Sequence, residues 1–269
     1  MTAWLRPRPV ENPRLRLVMF HHAGGSGSTF FNIVKQMGED VDVVLHELPG
    51  RGRRYAQAPI DQMSEMVAQV ARDLGELTGE LPLALFGHSL GAIVASELAR
   101  KLTRDGTPPL WLGVSGRQAP TVAPRASRLH LLPDDEFLHT MLELGGTPER
   151  VLQEPEFVRM FLRLARADFT AVDSYGARPD RTILGCPIHA YAAVDDPWAP
   201  PALMENWALE TGGPFHLSRF DGGHFYFTDD SCARLGRQIA RDLTALGDPG
   251  FRGTALNDQP VTQSVELVD

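Results

Sequence analysis

Five residues, Gly87-His88-Ser89-Leu90-Gly91, stand between an apolar run and a long helical pattern, and their types and order suit nucleophilic attack on a carbonyl carbon. A strand that turns sharply into a helix pushes one side chain out at the top of a sheet, and glycines on either side leave room for the turn. Ser89 is the side chain so placed. Gly-x-Ser-x-Gly alone is common by chance, so its flanks must decide. Leu81 to Phe86 is an apolar run of strand length opened by Pro82. Downstream, Ala92, Ile93, Ala95, Leu98 and Ala99 form an apolar helical stripe. The plainer alternative is a serine that only caps a helix.

A serine hydroxyl is a weak nucleophile at neutral pH. It needs a base within hydrogen-bond reach, and the base needs an orienting carboxylate. In α/β hydrolases the acid and then the histidine follow the serine along the chain. Two later segments supply them in that order. Val194-Asp195-Asp196-Pro197 ends one strand-like run, and Asp221-Gly222-Gly223-His224-Phe225 ends the last. His224 is the expected base. Of the acids, Asp196 is preferred because it directly precedes Pro197 in what resembles a family motif, and Asp195 is left to shape the turn. The chain has nine histidines. His46, His130, His139, His189 and His216 fall within predicted strands or helices, and His88 belongs to the turn beside the serine. His21 and His22 come too early in the order and are expected to serve another site.

Attack on a carbonyl also needs donors for the developing oxyanion. The backbone N–H of Leu90, just after the nucleophile, is one. His21-His22-Ala23-Gly24-Gly25-Ser26 resembles the glycine-rich oxyanion loops of esterases, which makes the N–H of Ala23 the second. A phosphate-binding loop would need Gly-x-Gly-x-x-Gly or a Gly-Lys-Ser/Thr ending, and neither is present.

The elements that must hold these groups alternate between strand and helix, the pattern of an α/β protein with a mainly parallel sheet. Strands are predicted at Arg14 to Phe20, Val41 to Glu47, Leu81 to Phe86, Trp111 to Ser115, Ile188 to Val194 and Phe215 to Phe220. Helices are predicted at Phe30 to Met37, Met63 to Leu77, from Ala92 to Leu102 and near Cys232 to Leu246. Residues 1–129 and 176–246 read as an α/β-hydrolase core, and the helical stretch 130–175 as a lid inserted over the carboxyl ends of the sheet. Ordinary crossover helices are the alternative for that stretch. The polar tail 247–269 reads as disordered.

At 269 residues with 43% hydrophobic content, the chain suits one domain with a substantial core. The start is proline-broken, and nowhere do about eighteen apolar residues run together, so a cytoplasmic protein without membrane contact is expected. A net charge of −8 disfavours nucleic-acid binding. Cys186 and Cys232 are too few for a disulfide scaffold or a thiolate metal site. No metal or organic cofactor is expected.

Taken together the residues resemble the type II thioesterases that accompany polyketide synthases and nonribosomal peptide synthetases. The matching blocks are His22-Ala-Gly-Gly-Ser26, Leu48-Pro-Gly-Arg-Gly-Arg53, Gly87-His-Ser-Leu-Gly-Ala92, Leu144-Gly-Gly-Thr-Pro148, Arg166-Ala-Asp-Phe169, Asp196-Pro197 and Gly223-His-Phe225. His21 replaces the family's usual proline, and Ala193-Val194 a glycine pair. The resemblance implies a stand-alone hydrolase that clears misprimed or stalled acyl groups from the phosphopantetheine arm of acyl or peptidyl carrier proteins. The family's triad falls on Ser89, Asp196 and His224.

Such an enzyme needs a chamber for the acyl group and a patch for an acidic carrier. Met141, Leu142, Phe157, Met160, Phe161 and Phe169 of the helical stretch are the chamber candidates, with ordinary core packing as the alternative. Arg51, Arg53 and Arg54, in one glycine-containing loop, are the docking candidates, with a solvated loop as the alternative. A monomer is expected, since no heptad pattern is present. A general esterase, a chain-releasing acyltransferase or cyclase, and a catalytically idle carrier-binding protein are the rival functions.

Overall fold

The computed structural model describes residues 2–77, 81–122, 128–145, 154–176, 181–228 and 231–246. The tail 247–269 and the end of the Leu144 to Pro148 block therefore lie outside the described residues. Seven strands form one sheet: β1 (Trp4–Leu5), β2 (Leu15–Phe20), β3 (Val41–His46), β4 (Leu83–His88), β5 (Trp111–Ser115), β6 (Ile188–Ala193) and β7 (Phe215–Phe220). Their order is β1-β3-β2-β4-β5-β6-β7. Among the described residues only β1 runs antiparallel to its neighbour. The helices are α1 (Phe31–Val34), α2 (Met63–Leu74), α3 (Leu90–Arg104), α4 (Asp134–Glu143), α5 (Pro155–Ser174), α6 (Pro201–Met204) and α7 (Cys232–Ala245).

Every residue of β2, β3, β5 and β6 is buried, as parallel strands covered on both faces must be. Alternate side chains divide between two cores. Val18 and Phe20 of β2 pack with Met66 and Val70 of α2 and Ile93 and Leu98 of α3. Leu17 and Met19 face the other way, toward Ile33 of α1 and Leu235 and Ile239 of α7. A third, smaller core joins α4 to α5 through Phe137, Met141, Leu162, Ala165 and Phe169, with Ala23 and Trp198 packed against it. Among the described residues no helix is long and apolar enough to cross a membrane.

The α/β reading holds, with local differences. Strand β4 starts two residues later than expected, because Pro82 has no N–H for the ladder and contributes only its carbonyl, which accepts from the Arg16 amide at 2.9 Å. The expected helix at Phe30 to Met37 is a 3₁₀ turn, Gly27–Phe30, followed by the single turn of α1. The sequence reading missed β1, too short to show a period, and α6, which begins at Pro201.

Candidate active site

Strand β4 passes into α3 at Ser89 alone, whose backbone has φ 55° and ψ −115°. A non-glycine residue in such a sparsely populated region costs about 1–3 kcal/mol and persists only where its surroundings enforce it. Here they do. The Ser89 amide donates to the Ser115 carbonyl at 2.8 Å on neighbouring β5. A Cβ on Gly87 would lie 2.0 Å from the Gly91 carbonyl oxygen, and a Cβ on Gly91 would lie 2.0 Å from that of Phe20. Both glycines are therefore needed for strand, turn and helix to close on one another.

Asp196 and His224 follow β6 and β7, adjacent parallel strands, so their turns emerge at the same edge of the sheet. His224 Nδ1 donates to Asp196 Oδ2 at 2.8 Å. Since an ionised carboxylate only accepts, Nδ1 carries the ring proton and Nε2 is left as the basic nitrogen. The other carboxylate oxygen, Oδ1, accepts from the amides of Trp198 at 2.9 Å and Ala199 at 3.2 Å. Burial works to raise the Asp196 pKa, but the hydrogen bond and charge of His224 and the two amides together hold it below the ordinary carboxylate value. The His224 ring is packed by His88, Trp198 and Phe225, with centroids 4.9, 5.0 and 5.0 Å away. His88 is in turn fixed by Nδ1 to Ser115 Oγ at 2.9 Å, and Ser115 Oγ to the Tyr226 hydroxyl at 2.9 Å. Burial, aided by the proximity of His224 and His22, keeps His88 neutral.

The loop after β2 is pinned by its own histidines. His21 Nδ1 donates to the His22 carbonyl at 2.8 Å and His22 Nδ1 to the Ala23 carbonyl at 2.9 Å. The amide of Gly25 returns to the His22 carbonyl at 3.1 Å, and that of Gly24 goes to Asp168 Oδ2 at 2.7 Å. Burial, with the nearby His224 and Arg51, lowers the His22 pKa to about 4. The Leu90 amide opens α3, where the first N–H groups of a helix have no partner in its own ladder.

One pocket is lined by Ser89 and His224 together with His22, Ala23, Met141, Leu144, Phe161, Phe169, Trp198 and Phe225. Of the six chamber candidates, Met141, Phe161 and Phe169 thus reach it. Leu142 is not among the lining residues, and Phe157 and Met160 are corrected: they are 54% and 43% exposed, on the first turn and a half of α5 that overhangs the core. His22 corrects the expectation of a separate site. Order along the chain rightly denies it the role of base, yet its ring packs on Phe225, centroids 4.7 Å apart, in the same pocket. Trp198 and Phe225, one or two residues from the acid and the base, were also missed, and that adjacency was the signal for them.

The arginine loop differs most from expectation. Arg51 is buried, its two terminal nitrogens donating to the two oxygens of Asp168 at 2.8 and 2.9 Å. Arg54 is buried as well, donating to Asp73 Oδ2 at 2.7 Å, beside His46, and to the Glu47 carbonyl at 3.0 Å. Neither is a surface docking group. Arg53 alone of the three is exposed. Among the described residues no three His, Cys, Asp or Glu side chains gather as a metal site would require.

Comparison with known proteins gives a consistent result. The family profile for the thioesterase domain matches residues 15–243. The chain is 42% identical to the thioesterase PikA5 of Streptomyces venezuelae over 98% of its own length and 92% of that protein's. It is 35% identical to the gramicidin S biosynthesis protein GrsT of Aneurinibacillus migulanus, covering 79% of this chain and 83% of the relative. The solved structure of BorB, the type II thioesterase of the borrelidin biosynthetic cluster, superposes with a TM-score of 0.79 at 36% identity, covering 89% of this chain and 97% of that one.

Proposed function

The chain belongs to the thioesterase family, in its type II branch from polyketide and nonribosomal peptide pathways, and from that premise we propose that Ser89, His224 and Asp196 are its triad. The protein is a hydrolase with the α/β-hydrolase fold. Its substrate, in this reading, is an acyl group held as a thioester on the phosphopantetheine arm of a carrier protein, cleared when it is misprimed or stalled.

The observation that carries the reading is the 2.8 Å bond from His224 Nδ1 to Asp196, made beside the pocket that also holds Ser89. His224 Nε2 takes the Ser89 proton as the hydroxyl oxygen attacks the thioester carbonyl, and Asp196 stabilises the imidazolium that forms. The oxyanion is received by the amides of Ala23 and Leu90. The pantetheine thiolate leaves with the proton from His224, giving an acyl-enzyme on Ser89. Water then attacks and surrenders its proton to His224, which passes it to the Ser89 oxygen as the ester bond breaks and the free acid leaves. Helices α4 and α5 serve as the cover of the pocket, and their apolar Met141, Phe161 and Phe169 suit acyl chains of varied structure. Arg53 is what remains of the carrier-docking patch, and the carrier is a transient partner of a monomeric enzyme.

The test is thiol release from acyl-phosphopantetheinyl carrier protein, beside the same acyl group on a simple ester, with Ser89→Ala as control. Serine-dependent release that favours the carrier thioester is expected. Ester preference would point to a general esterase, transfer to an added amine in place of hydrolysis to an acyltransferase, and unchanged turnover in a folded Ser89→Ala protein would refute the nucleophile.

A further inference from the structure

The ion pair between Arg51 and Asp168 is wholly inside the protein, with Asp168 0% and Arg51 4% exposed, and it joins parts of the chain 117 residues apart. Removing two charges from water costs several kcal/mol per ion and is recovered only when the remaining hydrogen-bonding positions are filled. The loop after β2 and the turn at Pro49 fill most of them, and among the described residues Arg51 Nε alone of the guanidinium nitrogens is left without a partner. Asp168 Oδ2 accepts the Gly24 amide at 2.7 Å in addition to Arg51, and Arg51 donates to the carbonyls of Gly25 and Pro49, each at 3.3 Å.

Asp168 belongs to a particular face of α5. Residues 161, 165, 168 and 169 recur at helical spacing and so share one side of the helix. Phe161 and Phe169 line the pocket. Between them, Ala165 and Phe161 stand against Gly24, where an added Cβ would come within 3.3 and 3.1 Å of them. One helical face therefore both walls the pocket and holds the loop by its Gly24 amide. That amide directly follows Ala23. The peptide plane that carries the Ala23 N–H is held at its own carbonyl, that of His22, by Gly25 N–H and His21 Nδ1, and the next plane is held by Gly24 N–H on Asp168, so the Ala23 amide is fixed from both sides.

The geometry points to Asp168 and Arg51 as positioning residues of the oxyanion hole: they aim the Ala23 amide through Gly24 and touch no reacting atom. This rests on the reading of Ser89 as nucleophile and Ala23 as donor. It also divides α5, whose middle is clamped to the core, so that any opening of the pocket falls to α4 and to the first turns of α5.

The test is the kinetics of covalent labelling by an alkyl fluorophosphonate, whose phosphoryl oxygen occupies the oxyanion position and which needs no carrier protein. Asp168→Leu alone leaves Arg51 buried without a counter-charge, so the fold-preserving partner is the double variant Arg51→Met with Asp168→Leu, which also removes the acceptor of the Gly24 amide and is checked by circular dichroism and thermal melting. The maximal labelling rate of the folded double variant is expected to fall tenfold or more with the reagent's half-saturation concentration within threefold of the parent, in line with the effect of losing an oxyanion donor, about 10²–10³. Equal maximal rates in parent and double variant, or a loss confined to half-saturation, would overturn the positioning role while leaving Ser89 as nucleophile. Failure of the parent protein itself to label at Ser89 would overturn both.

Discussion

Replacing Asp196 by Asn keeps the shape of the side chain and changes only what one end can do. The carboxylate now accepts on both sides, from His224 Nδ1 on Oδ2 and from two backbone amides on Oδ1. Asparagine has one acceptor end and one donor end. If its oxygen stays with the Trp198 and Ala199 amides, its NH2 meets His224 Nδ1, and the ring must move its proton to Nε2. The nitrogen that has to receive the Ser89 proton is then occupied. The opposite orientation restores the working tautomer but turns NH2 toward the two amides, orphaning both at about 1–3 kcal/mol each. A bias of about 2–6 kcal/mol, at 1.36 kcal/mol per tenfold, leaves the competent arrangement in roughly one molecule in 30 to one in 10⁴. A loss toward the upper end is expected, since the equivalent change in a serine-protease triad costs about 10⁴ in kcat. The assay is thiol release from a small acyl thioester, followed to saturation so that kcat and KM separate. A fall in kcat of about 30-fold or more with KM little changed is the prediction. A folded Asp196→Asn enzyme whose kcat stays within fivefold of the parent would refute the argument that Asp196 fixes the tautomer.

His21, His22 and His88 are held neutral by burial while the unfolded chain protonates them near pH 6.5, so stability is full above that pH and is lost as pH falls toward about 4, the folded value for His22. Each adds about 1.4 kcal/mol per pH unit across its window; urea melts at pH 7, 5.5 and 4.5 should show the decline, and a flat profile would contradict it. Met141→Trp fills the pocket from α4, and should lower kcat/KM for long acyl thioesters by about tenfold while sparing acetyl and propionyl substrates, as a parallel series of chain lengths would reveal. Arg53→Glu should raise KM for the carrier-bound thioester and leave that for a small-molecule thioester unchanged; equal effects on both would remove Arg53 from docking.

Legibility in the sequence followed how narrowly physics restricts each residue. The turn at Ser89 could be read because backbone meets backbone at Gly87 and Gly91, and no other residue fits either place. The acid and base could be read because parallel strands put their following turns on one edge. Arg51 and Arg54 could not, because an arginine among glycines looks solvated until its carboxylate is known, and Asp168 and Asp73 lie on helices elsewhere in the chain. Phe157 and Met160 were indistinguishable from Phe161 by period alone; what separates them is where α5 projects past its neighbours. His22 was excluded by a rule about order that governs the base and says nothing about the walls of a pocket.

The contact of Gly91 with Phe20 works as a gauge. The Cα of a residue two places beyond the serine rests against the carbonyl that ends β2, one residue before the two histidines that open the loop leading to Ala23. The spacing between attacking oxygen and oxyanion loop is thereby set by main-chain atoms of fixed dimensions, with no side chain in between. The cores on both faces of the sheet can exchange one apolar residue for another over long divergence, and this separation will not register the change. Sequence identity between relatives can fall far while the working dimension of the site stays constant.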